Sequence, residues 1–386
     1  MRVLFITAWY PTKEQPVGGV FVREHAKAVR LYDDVVVLHC AGPDPKLKEL
    51  WRLGQESDES LTEGIVTYRV WHRGLSIPKV SYFIYLWGVF QAFRYITAHG
   101  FRPDIIHAHL FATGVPAVLI GRLYHIPVVI TEHNSAFPRR LLSQTAILRA
   151  RFAFRWADLV LAVSMSLQKA IEGYGIRARF QVVPNVVDTS LFFPRIDKPN
   201  EDNQKRLLFV GLLDSSHIKG VPYLLQALAQ LRQDRDDWHL DIVGDGPARA
   251  EYERMVADLS LGNKITFHGL KTKSEVAEFM RQADLFVLPS LFETFSVITA
   301  EALATGIPVL ATRCGGPEEF VTDKLGLLVP PGDADALCQG LAFLLNHLDQ
   351  FSPGEISRYA KERFGPEGVG QHLHTVYVTA LAEYGD

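Results

Sequence analysis

Short runs of β-branched and aliphatic residues recur along the chain, separated by longer segments whose apolar positions return every three or four residues. In the first half these runs are VLFIT near Val3, VVVLH near Val35, DIIHAH near Ile105, PVVIT near Val128, LVLAV near Leu159 and QVVP near Val182. Near-continuous apolar strands of this kind belong to parallel sheets covered on both faces, and the segments between them, such as Val22 to Arg30 and Ser166 to Gly173, have helical spacing. The rhythm stops at the polar, Pro-containing stretch PNVVDTSLFFPRIDKPNEDNQK. It restarts near Arg206 with RLLFVG, HLDIVGDG, ITFHG, DLFVLPS, PVLAT and GLLVPPG. The pattern predicts an α/β chain of two Rossmann-like, doubly wound domains, residues 1–190 and 191–368. A final stretch from Val369 to Tyr384 is helical in spacing, and periodicity leaves open which body it joins. Open α/β sheets bind ligands beyond the carboxyl ends of their strands, so two such bodies facing one another predict a deep interdomain cleft.

At 386 residues the chain is too long for one ordinary core, which agrees with two domains. Hydrophobic residues at 48% and charged ones at 22% are the composition of a globular protein, and only Gly54 to Glu63 and Lys198 to Lys205 stand out as poor in structure. Cys40, Cys314 and Cys338 lie far apart without CxxC spacing, which argues against a disulfide framework or zinc site and for a reducing compartment. The N-terminal MRVLFITAWYP lacks a signal-peptide pattern, so a cytoplasmic location is expected. The longest apolar run, Tyr82 to Phe93, is shorter than the roughly 20 residues that span a bilayer. Residues 1–190 hold 22 Lys+Arg against 15 Asp+Glu, a balance of +7, and the remainder holds 18 against 28, a balance of −10. A basic first half suits an anionic membrane surface or an anionic acceptor, with solvated surface charge as the plainer alternative. No nucleic-acid partner is expected.

The densest chemistry lies in PSLFETFSVITAEALATGIPVLATRCGG. Ser296 is placed to cap a buried helix from Val297 to Ala304, so free backbone N–H groups near Phe295 and Ser296 suit a diphosphate. Glu293 on the entering loop and Glu301 about two turns later are placed to accept hydrogen bonds from hydroxyls on either side of it. Read alone, the two glutamates also fit the acid and base of a hydrolase. The loop Pro11 to Phe21 carries Gly18 and Gly19 before a helix, where a glycine pair serves either close approach to a ligand or a tight turn. His107 and His109 share one face of a strand, but no third ligand is spaced to complete a metal site. TEHN sets His133 just past a strand end, where it either bonds a sugar hydroxyl or is satisfied within its loop. Lys219, in a Gly-bounded βα connection, is placed to neutralise phosphate. HLDIVGDGPAR lacks the third glycine of a dinucleotide fingerprint, with Arg249 in its place, which discounts NAD. Of the two DxD patterns, Asp234 with Asp236 falls in a charged connection and Asp333 with Asp335 suits a helix cap better than a divalent metal. In ILRARFAFRW, Arg149, Arg151 and Arg155 alternate with Phe152, Phe154 and Trp156, which fits a helix packed on a sheet with snorkelling arginines or a helix lying on a membrane.

PVGGVFVREHAKAV, DIIHAH, TEHN, VVPNVVD, VGLLD with HIKG, IVGDGP and ETFSVITAEALATGIPVLAT with GGPEE occur in this order along essentially the whole chain. Together they resemble the retaining glycosyltransferases of the GT-B fold, most closely family 4. The resemblance implies an NDP-sugar donor, UDP- or GDP-linked, held mainly by the second domain, and transfer without a metal or other cofactor. It places Glu293 near the donor sugar, Glu301 on the ribose hydroxyls, Lys219 on the diphosphate with Gly211, Thr294, Phe295 and Ser296 around the same group, and Gly18 and Gly19 toward diphosphate and acceptor. His133 matches the histidine that contacts the transferred sugar, so Glu293, His133 and Lys219 are the implied catalytic residues. The terminal helix, about residues 369–386, is implied to cross back to the first domain. The implied acceptor is a glycan, a lipid-linked sugar or a small molecule, in cell-surface polysaccharide or glycoconjugate synthesis, with peripheral membrane contact through the basic half. One position departs: relatives carry an arginine after the glycine matching Gly211, and this chain has Leu212. Either Lys219 carries more of the charge, or His217 or Arg23 takes the missing role. The alternative functions are another GT-B reaction, such as a nucleotide-sugar epimerase or a phosphorylase, and a two-domain sugar-binding protein without catalysis.

Overall fold

The computed structural model describes residues 1–195 and 204–384. Lys198 to Asn203, most of the second segment expected to be poor in structure, lies outside the described residues, as do the last two residues of the expected returning helix. The chain divides into two compact units, Met1–Val186 with Pro366–Asp386 (unit 1) and Val187–Gly365 (unit 2).

Unit 1 is built on an eight-stranded sheet: β1 Arg2–Thr7, β2 Asp34–Asp44, β3 Trp51–Gln55, β4 Val66–Arg73, β5 Ile105–His109, β6 Val128–Glu132, β7 Leu159–Ala162 and β8 Phe180–Val182. Their order is β3-β4-β2-β1-β5-β6-β7-β8, and every pairing is parallel except that of β3 with β4. The six runs read from sequence are β1, β2, β5, β6, β7 and β8. The segment Gly54 to Glu63 corrects the expectation of disorder, because Gly54 and Gln55 pair with Arg69 and Tyr68 of β4 and Glu59–Thr62 form a helical turn capped by Asp58. The edge strand β3 and its neighbour β4 alternate polar and apolar positions, so they lack the apolar run that marks the central ones.

Side chains alternate across β1, and both sets are buried. Val3 and Phe5 join Val22, Ala26, Val369, Leu373, Val376 and Tyr377 in one core, so the helix Val20–Arg30 and the terminal helix Pro366–Glu383 cover the same face. The terminal helix therefore packs in unit 1, an assignment its periodicity alone left open. Tyr377 Oη lies 2.7 Å from His107 Nδ1, and Thr131 Oγ1 lies 2.6 Å from the other ring nitrogen, so His107 is a satisfied core residue.

Unit 2 carries β9 Lys205–Val210, β10 Trp238–Val243, β11 Ile265–Phe267, β12 Leu285–Leu288, β13 Val309–Thr312 and β14 Gly326–Val329, in the order β11-β10-β9-β12-β13-β14 and all parallel. All six match the runs read from the sequence. The order reverses direction beside β9, so the connections leaving β9, β10, β12 and β13 gather at one end of the sheet, where ligands bind in such folds. Asp333 caps the helix Ala334–Asn346 by accepting from the Ala336 amide at 2.9 Å, which accounts for the second DxD pattern.

The approach of the terminal helix is tight at Gly370, where an added Cβ would stand 2.3 Å from the Ala28 carbonyl oxygen. Gly370→Ala is expected to lower unfolding free energy by about 1–3 kcal/mol, as overpacking does. A urea titration checks this, and an unchanged midpoint would show that the helix does not bear on Ala28.

Candidate functional site

In unit 2 the loops at the carboxyl ends of the strands pack so closely that side chains are excluded. Gly220 has φ +68 and an added Cβ would lie 1.9 Å from the Pro289 carbonyl oxygen, while one on Gly316 would lie 2.4 Å from that of Phe295. Such contacts require glycine. They fix the β9 connection beside the segment after β12, and the result is an ion pair: Lys219 Nζ donates to Glu293 Oε1 at 2.7 Å. Ser290 Oγ donates to the same oxygen at 2.9 Å. Burial alone would lower the lysine's proton affinity, but the Glu293 charge and hydrogen bond outweigh it and hold the pKa above the ordinary value. Lys219 is therefore a fixed cation.

Glu293 is itself held at both ends of its peptide unit, its N–H donating to Cys314 O at 2.9 Å and its carbonyl accepting from Gly316 N at 3.0 Å. Burial pushes the neighbouring Cys314 thiol up to about 12, so it is uncharged. Beyond Glu293, Ser296 stands at the start of the helix Val297–Ala304, but not as the side-chain cap expected. Its φ is +71, and its Oγ pairs with Thr299 Oγ1 at 2.8 Å instead of with a backbone amide. Among the described residues the amides of Thr294, Phe295 and Ser296 have no acceptor, which leaves donors at a positive helix end. Glu301 is buried on the same helix.

Gly211 ends β9, where a Cβ would come within 3.0 Å of the Phe209 ring, and the next residue, Leu212, is exposed. Neither proposed substitute for the missing arginine is a free cation. His217 binds Tyr252 Oη through Nδ1 at 2.8 Å, and Arg23 is buried in unit 1 with Glu63 at 2.6 Å and Glu24 at 3.6 Å.

Unit 1 gathers a different set. Gly19 has φ +67, and an added Cβ would lie 2.3 Å from the Trp9 carbonyl carbon, so chain packing explains this glycine directly, whereas Gly18 is less confined. Both line a cavity of about 710 Å³ together with Trp9, Tyr10, Arg52 and Trp71. Phe21, at the start of the following helix, packs on His133 with ring centroids 4.5 Å apart and the planes tilted by 42°. His133 Nε2 lies 3.1 Å from His109 Nδ1, which leaves His109 Nε2 and His133 Nδ1 buried without partners; the side-chain oxygen of Asn185 is likewise unpartnered. Burial holds His25, His109 and His133 below the ordinary imidazole pKa, and repulsion from neighbouring histidines adds to it at His109 and His133. These three also correct the expectation that no third ligand stands near His109: one nitrogen from each lies within 4.8 Å of the others. His25, however, already presents its nitrogens to Phe21 O at 2.9 Å and Pro184 O at 3.2 Å, so the arrangement falls short of three free ligands.

Residues 18–191 match the family described as Glycosyltransferase Family 4, and residues 204–347 match Glycosyl transferases group 1. A D-inositol 3-phosphate glycosyltransferase of Corynebacterium urealyticum is 30% identical over 68% of this chain and 70% of its own length. The chain belongs to this family of glycosyltransferases. Another relative, TuaC of Bacillus subtilis, named for teichuronic acid biosynthesis, is 29% identical over 88% of both chains. HepE of Anabaena, solved in complex with UDP, superposes over 98% of this chain and 100% of its own with a TM-score of 0.78 at 22% identity, which shows the GT-B fold.

Sequence reading of this glycosyltransferase missed Ser290, Cys314, His25 and Asn185. The first two stand in PSLFE and TRCGG beside the glutamate, and His25 and Asn185 stand in the motifs REHAKAV and VVPNVVD. Nothing in a linear pattern says that a helix histidine meets two strand-end histidines.

The buried histidines make stability depend on pH. Their folded pKa values lie below the unfolded value near 6.5, so the unfolded chain binds more protons below that pH and stability falls as pH drops. The expected loss is about 1 kcal/mol per pH unit for each histidine that stays neutral while folded. Urea midpoints at pH 7.5 and pH 5.5 measure it, and equal midpoints would contradict the neutral assignment.

Proposed function

We propose that this glycosyltransferase transfers a sugar from a UDP- or GDP-sugar with retention of the anomeric configuration, to a glycan, lipid-linked or small-molecule acceptor. The observation that carries the reading is the Lys219–Glu293 pair beside unpartnered amides at a helix start. As the glycosidic bond to the diphosphate breaks, negative charge grows on the leaving group, and a fixed cation with preorganised N–H donors stabilises that charge without reorganising. Lys219 and the amides of Thr294, Phe295 and Ser296 take this role, with Gly211 keeping the approach open. Transfer of Lys219 from Glu293 to the diphosphate leaves the Glu293 carboxylate to accept from the donor sugar's hydroxyls, and Glu301 accepts from the ribose. No metal is needed for this charge balance. With His217 and Arg23 engaged elsewhere and Leu212 carrying no charge, Lys219 is the cation assigned to the leaving group.

In unit 1, Gly18, Gly19 and His133 are assigned to the acceptor and the transferred sugar, supported by the unpartnered polar atoms of His109, His133 and Asn185. Attack on the same face, with the departing phosphate taking the acceptor proton, fits a Glu293 carboxylate that begins in an ion pair rather than as a free base. A cytoplasmic enzyme of cell-surface polysaccharide synthesis with peripheral membrane contact through unit 1 suits the teichuronic acid biosynthesis for which TuaC is named and the basic charge balance.

A thermal-shift series with UDP-, GDP- and ADP-sugars is expected to raise Tm for one base, since a ligand that binds the folded state stabilises by mass action. Lys219→Ala is expected to lower kcat about 100- to 1000-fold, the usual cost of removing one preorganised group. Glu301→Ala is expected to weaken donor binding about tenfold through lost hydrogen bonds. Absence of any nucleotide-sugar shift would end the proposal. Donor turnover without acceptor would favour an epimerase, and a requirement for inorganic phosphate a phosphorylase.

A further inference from the structure

Between Gly74 and Trp156 the chain has nine Lys+Arg and only two Asp+Glu, Asp104 and Glu132. Glu132 is buried and accepts from the amides of Phe111, His133 and Asn134. Asp104 accepts from the Arg2 amide at 2.8 Å. The nine cations are all exposed, and among the described residues none is in an ion pair. This stretch supplies three helices of unit 1: Pro78–Ala98, Phe111–Tyr124 and Gln144–Trp156.

The outward faces of these helices are apolar. Val80, Phe83 and Trp87 recur at helical spacing on the first, and Leu148, Phe152 and Trp156 on the third, with exposures between 39% and 67%. Leu119 and Leu123 are exposed on the helix between them in sequence. Arg149 stacks over Tyr82 at 3.8 Å and Arg122 over Trp156 at 4.5 Å, so the helices are joined through their outer residues. Scattered exposed apolar residues need no explanation, but a joined set rimmed by one sign of charge does.

We infer that these helices dock unit 1 on an anionic phospholipid bilayer, with Phe83, Trp87, Phe152 and Trp156 entering the interface and Lys79, Arg149 and Arg155 meeting the headgroup phosphates. Charge complementarity selects this occupant: a predominantly basic rim, with Asp158 near Arg122 at its edge, repels its own copy and attracts acidic headgroups, and aromatic residues with arginine are the chemistry of interfacial helices. Among the described residues no helix is long and apolar enough to cross a membrane, which agrees with lying on one. A cavity of about 580 Å³ lined by Leu75, Pro78, Tyr82, Tyr85, Phe111 and Arg149 opens between the first and third helices and reaches Ala8 and Cys40 at the sheet. Docking places that cavity at the headgroup level, where a lipid-linked acceptor would enter. This use of the surface rests on the transferase proposed above, and the binding itself does not.

The test is sedimentation of the full chain with vesicles of phosphatidylcholine alone and of phosphatidylcholine with phosphatidylglycerol, at about 0.15 M salt, without donor. Binding is expected only to the anionic vesicles. Phe83→Ser with Trp87→Ser is expected to weaken it at least about tenfold, and Lys79→Gln with Arg155→Gln roughly fivefold for each charge removed. Donor thermal shifts of both variants should equal the wild type's, which separates loss of docking from misfolding and from failure of the transferase reading. No binding to anionic vesicles, or equal binding to neutral ones, overturns the inference. So does a dimer in size exclusion that becomes monomeric in the Phe83 and Trp87 variant, since a second copy would then be the occupant.

Discussion

The ion pair between Lys219 and Glu293 depends on two loops lying almost in contact, and that contact depends on glycine. Gly220 and Gly316 sit where any side chain would collide with a neighbouring backbone. The closeness sets a lysine from one strand connection against a carboxylate from another, 74 residues away in sequence. Without a neighbouring anion, burial would favour the neutral amine. With Glu293 beside it the cation persists, ready for a more highly charged partner. Ser296 adds to the arrangement by adopting a left-handed conformation that turns the chain into the next helix without its hydroxyl consuming a backbone donor.

Unit 1 relies on neutrality where unit 2 relies on charge. Its histidines are buried against Phe5, Phe21 and one another, and desolvation keeps them unprotonated. A neutral imidazole offers one donor and one acceptor, which suits a sugar hydroxyl better than a phosphate. His107, two residues from His109 on the same strand face, is spent on Tyr377 and Thr131 and ties the terminal helix to the sheet. One short motif thus divides between structure and chemistry, and the terminal helix decides which histidine does which.

The outer surface of unit 1 follows from the same helices. Their inner faces bury Ala150, Ala153, Phe154, Val89 and Phe93, which satisfies the sheet. The segment ILRARFAFRW is therefore divided between core and surface. Phe154 is core, while Phe152 and Trp156 face outward.

How much of this was legible depended on the range of the interaction that fixed it. Central strands are legible because burial on both faces demands an unbroken apolar run, whereas the edge strand β3 and its neighbour β4 alternate and carry no such run. Lys219, Glu293 and the glycine loops stand at strand ends, where the chain must turn, and Glu301 lies within the helix that follows. The sequence by itself determined two parallel α/β bodies and the turns that end their strands, because apolar periodicity and turn chemistry are local properties of the chain. Only the tertiary structure decided that Lys219 pairs with Glu293, that His25 meets His109 and His133, that Arg23 is spent within unit 1 and that Ser296 does not cap its helix. Those outcomes depend on distances between segments far apart in sequence and on which atoms burial leaves without water.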